Sequence, residues 1–404
     1  MKAGEGRGGT GRAPARRAAG GVPAAIALVA ASLGGAGCAA NGTDGTTEES
    51  FVVTSDVGGE LRAVPLGVFD QPWAMTFLPD ARLLVTEKAG RLLRVVPATG
   101  ERVTVAGLPP IEAAGQGGLG DVVLHPGFAD NRLVYLSYVE REGALSGAAV
   151  ARARLGGTEE GPALEDLEVI WRQVPKVSGS GHYGHRLAFS PDGYLFVSSG
   201  ERQKLDPAQD LAQNLGKVVR LHDDGTVPVD NPFADRGDVA AEVWSLGHRN
   251  PLGLAFDADG RLWEHEMGPK GGDELNRIER GANYGWPLVS NGDHYDGRPI
   301  PDHDTRPDLA APAESWSPVI APAGFVIVSG GRYAGWDGSG VIGGLASESL
   351  VRVALGRDAD TGAREVERFA MPRRMRELEL GPDGTLYALE DRGGARLLRL
   401  EPVP

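Results

Sequence analysis

The feature that most constrains the fold of this chain is a short pattern that recurs six times between residues 77 and 391. Each copy joins a turn rich in aspartate or glycine to an apolar strand. In such turns aspartate accepts a hydrogen bond from a nearby main-chain N–H, and glycine adopts φ > 0 without strain. The copies are Phe77–Glu87, Leu124–Tyr138, Phe189–Glu201, Phe256–Glu266, Gly335–Leu345 and Leu380–Asp391.

The turns recur at intervals that average about 60 residues, the scale of a four-stranded propeller blade. The sequence therefore predicts an all-β, six-bladed β-propeller over residues 51–404, in which Phe51–Val64 adds a strand to the last blade. The 60 glycines and 28 prolines among 404 residues favour many short strands over long helices. Two β-sandwich domains are the alternative, but no shift in composition divides the array. The polar insertion Asn291–Ala313 is expected on the functional face.

The N-terminal residues have a different character. Basic side chains precede an apolar run, Val22–Leu33, and the sequence GGAGC then ends at Cys38. This order predicts a lipoprotein-type signal peptide over residues 1–38, with a lipid on Cys38 anchoring the exported chain to the periplasmic or extracellular face of the cell envelope. A plain secretory signal is the alternative, and the apolar run is too short to span a bilayer. Residues 39–50 are predicted to form a flexible polar tether.

Charge and cysteine content exclude several classes of function. The formal net charge is −14, and because the first 38 residues contribute +4, the remainder carries −18. Such an acidic chain is a poor match for nucleic acid or an anionic membrane surface, both of which select basic partners. Cys38 is the only cysteine, which excludes an intrachain disulfide, a cysteine-based metal site and a haem-binding CxxCH motif.

The stretch Glu264–Pro287 concentrates carboxylates, glycines and aromatic residues. Its sequence is EHEMGPKGGDELNRIERGANYGWP. Oxygen-rich loops of this kind bind hard cations such as calcium. A glycine-rich turn followed by an aromatic core strand explains the same composition, so the stretch alone leaves both interpretations open.

Two further loops carry candidate catalytic groups. His182 precedes a predicted strand that ends near Glu201, and a histidine paired with a carboxylate is a natural general base. Arg249 and Asn250 follow another predicted strand, where an arginine can stabilise a developing oxyanion. A structural hydrogen bond for the histidine and an ion pair between blades for the arginine are the simpler alternatives. The HxxH spacing that His185 completes is weak evidence for a metal site.

Several motifs considered together resemble one family. These are GQGGLGD (115–121), GHRNPLGLAF (247–256), GPKGGDELN (268–276), GANYGWP (281–287) and RMRELELGPDGTLYALED (374–391). In this order, along about Gln71 to Leu400, they resemble the soluble quinoprotein sugar dehydrogenases, the pyrroloquinoline quinone (PQQ)-dependent aldose sugar dehydrogenases related to soluble glucose dehydrogenase. The resemblance implies a six-bladed propeller that oxidises the anomeric carbon of an aldose to a lactone by hydride transfer to PQQ.

The resemblance also implies roles for individual residues. His182 corresponds to the general base that takes the anomeric hydroxyl proton, and Glu201 to the carboxylate that orients it. Gln116 corresponds to a contact with sugar and quinone, Arg249 to the arginine beside the reactive quinone carbonyl, and Asn250 to a further cofactor contact. The other implied residues are Arg374 and Arg376 for the PQQ carboxylates, Gly268 and Pro269 for the calcium beneath PQQ, and Glu274 and Tyr284 for a second, structural calcium.

Several positions depart from the family pattern. Ala346 stands where the family has a lysine that pairs with PQQ, Met267 replaces a histidine, and His185 replaces a glycine, so that its side chain narrows the expected pocket. The segment Ala321–Phe325 reads APAGF where the family reads APSGM. These changes keep two alternatives open: a sugar- or protein-binding propeller that no longer binds quinone, and a calcium-dependent lactonase. The sequence identifies neither the sugar nor the electron acceptor.

Overall fold

Each of the six recurring turns connects the first and second strands of one antiparallel sheet. In the computed structural model six such sheets form the blades of a β-propeller, which confirms the predicted fold. The structure describes residues 49–356 and 362–403. The predicted signal peptide with Cys38, and residues 39–48 of the predicted tether, lie outside the described residues.

The strands follow the chain blade by blade. The first two are β1 (Phe51–Thr54) and β2 (Glu60–Asp70). Blade 1 contains β3 (Pro72–Phe77), β4 (Leu83–Glu87), β5 (Arg91–Val95) and β6 (Arg102–Val105). Blade 2 contains β7 (Leu119–Leu124), β8 (Leu133–Glu142), β9 (Leu145–Gly157) and β10 (Pro162–Arg172). Blade 3 contains β11 (Gly184–Phe189), β12 (Leu195–Ser199), β13 (Lys217–Leu221) and β14 (Val243–Leu246).

The remaining blades carry the longer insertions. Blade 4 contains β15 (Pro251–Phe256), β16 (Leu262–Glu266), β18 (Asp273–Ile278) and β20 (Glu314–Trp316), and a small hairpin beside it pairs β17 (Lys270–Gly271) with β19 (Gly292–Asp293). Blade 5 contains β21 (Pro322–Ile327), β22 (Ser339–Gly344), β23 (Ser349–Leu355) and β24 (Ala363–Ala370). Blade 6 contains β25 (Met375–Leu380), β26 (Leu386–Glu390) and β27 (Gly393–Pro402), completed by β2 and β1.

The described helices are short and lie in loops: α1 (Phe128–Asn131) and the 3₁₀ helices Asp206–Gln209, Ala234–Arg236, Asp238–Glu242 and His303–Thr305. No helix within the described ranges is both long and apolar enough to cross a membrane.

The ring closes by pairing the two ends of the described chain. Strand β2 runs antiparallel to β27, with Ala63 opposite Leu400, and β1 pairs with β2 at the outer edge. The N-terminal segment therefore adds strands to the last blade, as predicted. The first strands of the six blades contact one another in cyclic order, and β25 of blade 6 packs against β3 of blade 1. Closure of this kind joins the first and last blades without a free sheet edge between them.

The repeated turns have the backbone that their residues predict. In the third copy Gly193 has φ 90°, and its N–H donates to Ser190 O at 2.9 Å. The first copy has no glycine at this place, and Ala81 adopts φ 64° instead. The Asp80 carboxylate accepts a hydrogen bond from Arg82 N at 3.1 Å within that turn. Local hydrogen bonds therefore maintain the turn even where the favourable glycine is missing.

The hydrophobic core is divided among the blade interfaces. Six apolar clusters lie between the six pairs of neighbouring blades. The interface of blades 2 and 3, for example, buries Tyr135 and Val197, and that of blades 4 and 5 buries Trp263 and Ile342. Because its two neighbours cover both faces of each blade, the second strands β4 and β12 are buried along their whole length.

A polar channel of about 110 Å³ runs between the first strands at the centre of the ring. The Arg186 guanidinium bridges Asp121, at 3.3 Å, and Glu377 across it, and donates to Leu252 O at 2.7 Å. Its carbon atom CZ also lies 4.1 Å from the centre of the Trp73 ring. These partners come from blades 1, 2, 4 and 6, so one buried cation connects most of the ring.

We expect the channel residue Glu379 to make stability depend on pH. Burial, together with Glu377 nearby, raises the pKa of Glu379 from 4.5 to about 8. The folded protein therefore keeps a proton that the unfolded chain releases, and this contribution to stability is lost as pH rises from about 4.5 through 8. Glutamine does not titrate, so Glu379→Gln should gain stability relative to the unaltered chain between pH 5 and pH 8.

Urea unfolding at both pH values measures this change, with the exposed Glu279→Gln as the matched control. A stability difference between Glu379→Gln and the unaltered chain that is the same at pH 5 and pH 8 would contradict the assignment.

Candidate active site

A cavity of about 360 Å³ lies at the end of the channel where the first strands begin. Four of the predicted site residues line it: Gln116, Asn250, Arg374 and Arg376. They come from the loops before β7 and β15 and from the start of blade 6. Because all first strands run in the same direction around the ring, the loops that precede them converge on one face.

His182 and Glu201 form the predicted pair. The imidazole Nδ1 and the Glu201 carboxylate oxygen Oε1 lie 2.5 Å apart, and both side chains are buried. The second oxygen of Glu201 accepts hydrogen bonds from Lys204 N and, at 2.7 Å, from Leu205 N. The main-chain N–H of His182 donates to Gln116 Oε1 at 2.6 Å. The carboxylate thus orients the ring, and Gln116 positions the loop that carries it.

The environment holds His182 in its neutral form. Burial lowers the pKa of His182, and the positive charge of Arg249 lowers it further, against the opposing effect of Glu201. Burial opposes ionisation of Glu201, but the hydrogen bonds from His182 and the backbone hold the pKa of Glu201 below its usual range. With Nδ1–H donated to the carboxylate, Nε2 carries the lone pair. The pair is therefore arranged to accept a proton at Nε2.

His182 also has an unusual backbone, with φ 50°. Left-handed conformations are costly for residues other than glycine and persist where surrounding contacts enforce them. Arg202 supplies these contacts: its N–H donates to His182 O at 3.1 Å, and its side-chain Nε donates to Gly181 O at 2.9 Å. Its guanidinium also lies 3.7 Å from the centre of the Tyr183 ring. Arg202 was not among the predicted site residues, although it directly follows Glu201.

Arg249 lies at the edge of the same site. Its Nη1 donates to Met267 O at 2.8 Å, and its Nη2 donates to the Tyr295 hydroxyl at 3.2 Å. Its Nε is buried without a hydrogen-bond partner among the described residues, and the same holds for Asn250 Oδ1. The main-chain N–H groups of both residues donate to Glu266. Buried polar atoms are costly to leave unpaired, so these two mark a place for a ligand's polar groups.

Cationic side chains dominate the wall of the cavity. Lys88, Arg374, Arg376 and Arg392 line it against a single carboxylate, Asp391. Arg374 and Arg376 share that carboxylate, with Nε to oxygen distances of 2.8 and 2.9 Å. An excess of positive charge around a cavity suits a ligand that carries several carboxylates. Lys88 and Arg392 were not among the predicted residues.

Two of the residues that depart from the family pattern, Ala346 and His185, lie at or next to the cavity wall. Ala346 is exposed next to Leu345, which lines the cavity, so no cation enters from this position. Lys88 brings a cation from blade 1, with its Nζ 2.5 Å from Gly115 O. His185 lines the cavity and stacks on Trp73 with ring centres 4.9 Å apart. Burial lowers the pKa of His185 to about 3, so the ring is neutral, and its Nδ1 lies 2.7 Å from Ser137 Oγ.

The predicted metal residues meet in a narrow cleft beside the cavity. Gly268, Pro269, Glu274 and Tyr284 all line it. The Asp273 carboxylate closes the loop, because it accepts hydrogen bonds from Gly268 N at 2.8 Å and from Ala321 N at 2.7 Å. A side chain at Gly268 would collide with Gly272 O, because a Cβ atom there would lie 2.2 Å from it. The tight loop thus requires glycine, as its composition indicates.

The polar side-chain atoms of Glu274 and Tyr284 have different partners. The Tyr284 hydroxyl donates to Arg277 O at 2.5 Å and accepts from Glu279 N at 2.9 Å. The carboxylate oxygen Oε1 of Glu274 instead lies 3.2 Å from His303 Nε2. A metal ligand from Tyr284 would therefore be its main-chain carbonyl oxygen.

A buried cluster whose members were not among the predicted metal ligands lies next to Glu274. His248, Glu264 and Glu266 each place one ligand atom within 4.8 Å of the others. Glu264 and Glu266 alternate on β16 and therefore share one face, opposite Asn276 and Glu274 on β18. Glu264 Oε1 and Asn276 Oδ1 are buried and unpartnered among the described residues. Burial and the negative charge of Glu266 raise the pKa of Glu264 well above its usual range.

Comparison with known proteins identifies the family. The Glucose / Sorbosone dehydrogenase family model matches residues 69–399. The chain is similar to the aldose sugar dehydrogenase YliI of Escherichia coli, with 38% identity over 82% of this chain and 90% of that protein. It is also 27% identical to quinoprotein glucose dehydrogenase B of Acinetobacter calcoaceticus, over 82% of this chain and 86% of that one.

Solved structures agree. A crystal structure of a glucose dehydrogenase is 40% identical and superposes with a TM-score of 0.80, covering 85% of this chain and 99% of that one. The PQQ-bound aldose sugar dehydrogenase of Streptomyces coelicolor is 26% identical with a TM-score of 0.70, covering 86% and 99%. This chain belongs to the glucose/sorbosone dehydrogenase family and has the six-bladed propeller of the soluble PQQ-type sugar dehydrogenases.

Proposed function

We propose that this chain is a PQQ- and calcium-dependent dehydrogenase that oxidises the anomeric carbon of aldose sugars to lactones. The observation that carries the proposal is neutral His182 paired with the Glu201 carboxylate beside Arg249, at the edge of a cavity with excess positive charge. A base that can take a hydroxyl proton and a pocket for a polyanionic cofactor are the two requirements of this reaction.

The residues present fit PQQ. Its carboxylates match the cationic wall formed by Lys88, Arg374, Arg376 and Arg392. Arg249 Nε and Asn250 Oδ1, both unpaired among the described residues, would supply a donor and an acceptor to its polar ring atoms. When bound, PQQ supplies the acceptor for the two electrons removed from the sugar. The main support for the alternative, a propeller that binds sugar or protein without quinone, is the missing cation at Ala346. The positive charge of Lys88 in the cavity wall offsets that loss.

The chain's own residues prepare the sugar. His182 Nε2 accepts the proton of the anomeric hydroxyl, and Glu201 stabilises the imidazolium that forms. Arg249, which lies within electrostatic range of His182, stabilises negative charge that develops on the reacting oxygen. Gln116 fixes the His182 backbone and lines the cavity, so it positions both base and substrate.

Reconstitution tests the proposal. Purified protein supplied with PQQ and calcium should reduce an artificial dye when an aldose is added, and calorimetry should detect PQQ binding. Binding of PQQ without turnover of any aldose would contradict the oxidation. If the protein neither binds PQQ nor oxidises any aldose, but binds sugar in calorimetry, the quinone-free propeller is favoured. Hydrolysis of a lactone without PQQ would favour the lactonase.

Calcium is expected at two places in blade 4. The carbonyl oxygens of Gly268 and Pro269 are candidate ligands next to the cavity, and Glu264, Glu266 and Glu274 supply three buried carboxylates for a second cation. Hard oxygen donors are what calcium selects. Buried carboxylates without an equal number of cations are unstable unless they are protonated or hold a metal.

Metal removal should therefore lower stability. At free calcium about 100 times its dissociation constant, binding contributes about 2.7 kcal/mol to the free energy of unfolding. We expect a chelator to lower the melting temperature of the unaltered protein. Glu264→Gln should show a smaller response to calcium, while the exposed Glu279→Gln should respond as the unaltered protein does. Equal calcium responses in all three proteins would contradict the site.

We also propose that the chain is exported and held to the cell envelope by a lipid on Cys38, on the basis of residues 1–38. Cys38→Ser should release the protein from the membrane fraction. A Cys38→Ser protein that stays in the membrane fraction would contradict the anchor.

A further inference from the structure

Tyr295 is an aromatic residue that stands in solvent on the functional face. Its side chain is 74% exposed, although large apolar groups usually gain by burial. It lies on a turn in the insertion between β18 and β20, where His294 N donates to Arg298 O at 3.0 Å. Directly before this turn, β19 pairs with β17. The turn is therefore attached to the loop that carries Gly268 and Pro269.

The Tyr295 ring is held at one place by Arg249. Arg249 Nη2 donates to the Tyr295 hydroxyl at 3.2 Å, and its carbon atom CZ lies 5.9 Å from the ring centre. The other terminal nitrogen of Arg249 is fixed by Met267 O at 2.8 Å. The arginine also lies near enough to His182 to lower the pKa of that histidine. One chain of contacts thus connects the exposed ring to the reacting site.

Tyr295 lies outside the cavity, because it is not among the residues that line it, although Met267 beside Arg249 is. A sugar whose anomeric carbon reaches His182 would place its first ring toward the cavity, because Tyr183, which follows His182, lines it. A second ring attached to that sugar would extend past the rim, where Tyr295 is an exposed aromatic side chain. The C–H face of a pyranose is apolar and packs on aromatic rings, and a tyrosine loses little conformational entropy in doing so.

We propose that Tyr295 is the platform of an outer subsite that contacts the second ring of a reducing oligosaccharide. The proposal rests on the proposed oxidation of aldoses and assigns a residue to the part of the substrate beyond the reacting ring. The subsite needs no charge on the substrate, since its contact is the face of the tyrosine ring. The Tyr295 ring binds the part of the substrate that does not react, so its loss should change KM more than kcat.

The test compares a disaccharide with a monosaccharide in the reconstituted holoenzyme, with maltose and glucose as probes. Tyr295→Ala should raise KM for maltose about tenfold, the change that corresponds to about 1.4 kcal/mol. KM for glucose should change less than about twofold, and any change in kcat caused by the lost hydrogen bond to Arg249 should be equal for the two sugars and equal in Tyr295→Phe. Tyr295→Phe keeps the ring and should keep KM for maltose. Val229→Ala removes another exposed apolar side chain and serves as the control.

Other outcomes would overturn the assignment. An equal rise in KM for both sugars would place the ring against the reacting sugar. A rise in KM for maltose that is as large in Tyr295→Phe as in Tyr295→Ala would assign the effect to the hydroxyl that holds Arg249 and not to the ring. An unchanged KM for maltose in Tyr295→Ala would remove the subsite, while turnover of aldoses by the unaltered enzyme would leave the proposed function intact.

Calorimetry with maltose and no cofactor separates the two proposals if the unaltered protein oxidises no sugar. Binding of maltose that Tyr295→Ala weakens would then support the subsite without the oxidation, and absence of binding would overturn both.

Discussion

Replacement of His182 by asparagine is expected to lower kcat by about 10²–10⁴-fold, the usual contribution of a positioned general base. The imidazole is neutral, oriented by Glu201 and adjacent to Arg249, so its removal leaves no group at this place to accept the hydroxyl proton. Asparagine is chosen because His182 has φ 50°, a conformation that asparagine tolerates better than alanine. The effect should be confined to turnover.

Two controls make this result specific. PQQ affinity of His182→Asn, measured by calorimetry, should stay within about threefold of the unaltered protein, a difference below 1 kcal/mol. The exposed His222→Asn should leave kcat unchanged. A His182→Asn enzyme that retains full turnover would exclude this residue as the base, and a parallel loss of PQQ affinity would show that the substitution disturbs the cavity.

The second large effect is expected on stability, from Arg186→Met. Arg186 is buried in the central channel between Asp121 and Glu377 and over the Trp73 ring. Methionine keeps an unbranched apolar stem but carries no guanidinium, so the carboxylates of Asp121 and Glu377 lose their counter-ion. Breaking a buried pair by removing one partner typically costs about 3–5 kcal/mol. Denaturant unfolding should show a lower midpoint by a corresponding amount.

Arg154→Met provides the comparison, because Arg154 makes ion pairs with Glu165 and Asp166 at the surface. Exposed pairs contribute only about 0–1 kcal/mol. If both substitutions have equally small effects, the central ion pair does not hold the blades together.

The repeated turns show why the fold was predictable. Their geometry is set within a few residues by aspartate hydrogen bonds and by glycine or a tolerated left-handed residue, as in Ala81 and Gly193. Six such turns therefore predict six hairpins, and the apolar strand that follows each turn predicts a buried blade. The pairing of β2 with β27 was also predictable, because a propeller whose last blade lacks a strand must take one from the other end of the chain.

Parts of the site were predictable for a different reason. The pair of His182 and Glu201 spans one hairpin, so a loop and the end of the next strand meet wherever that hairpin forms. The cluster of His248, Glu264 and Glu266 was missed, although two carboxylates at alternate positions of one strand share a face. Its third member comes from the loop before blade 4, and the sequence does not reveal how closely that loop approaches β16.

The sequence by itself determined the number of blades, the order of the loops and the residue types offered to the functional face. Only the tertiary structure decided that Lys88 supplies a cation to the cavity, that Arg186 joins Asp121 to Glu377, and that Arg249 holds Tyr295 at the rim. Turns and strands depend on neighbours a few residues away. These contacts join residues from different blades or from a long insertion, and they exist only once the ring has closed.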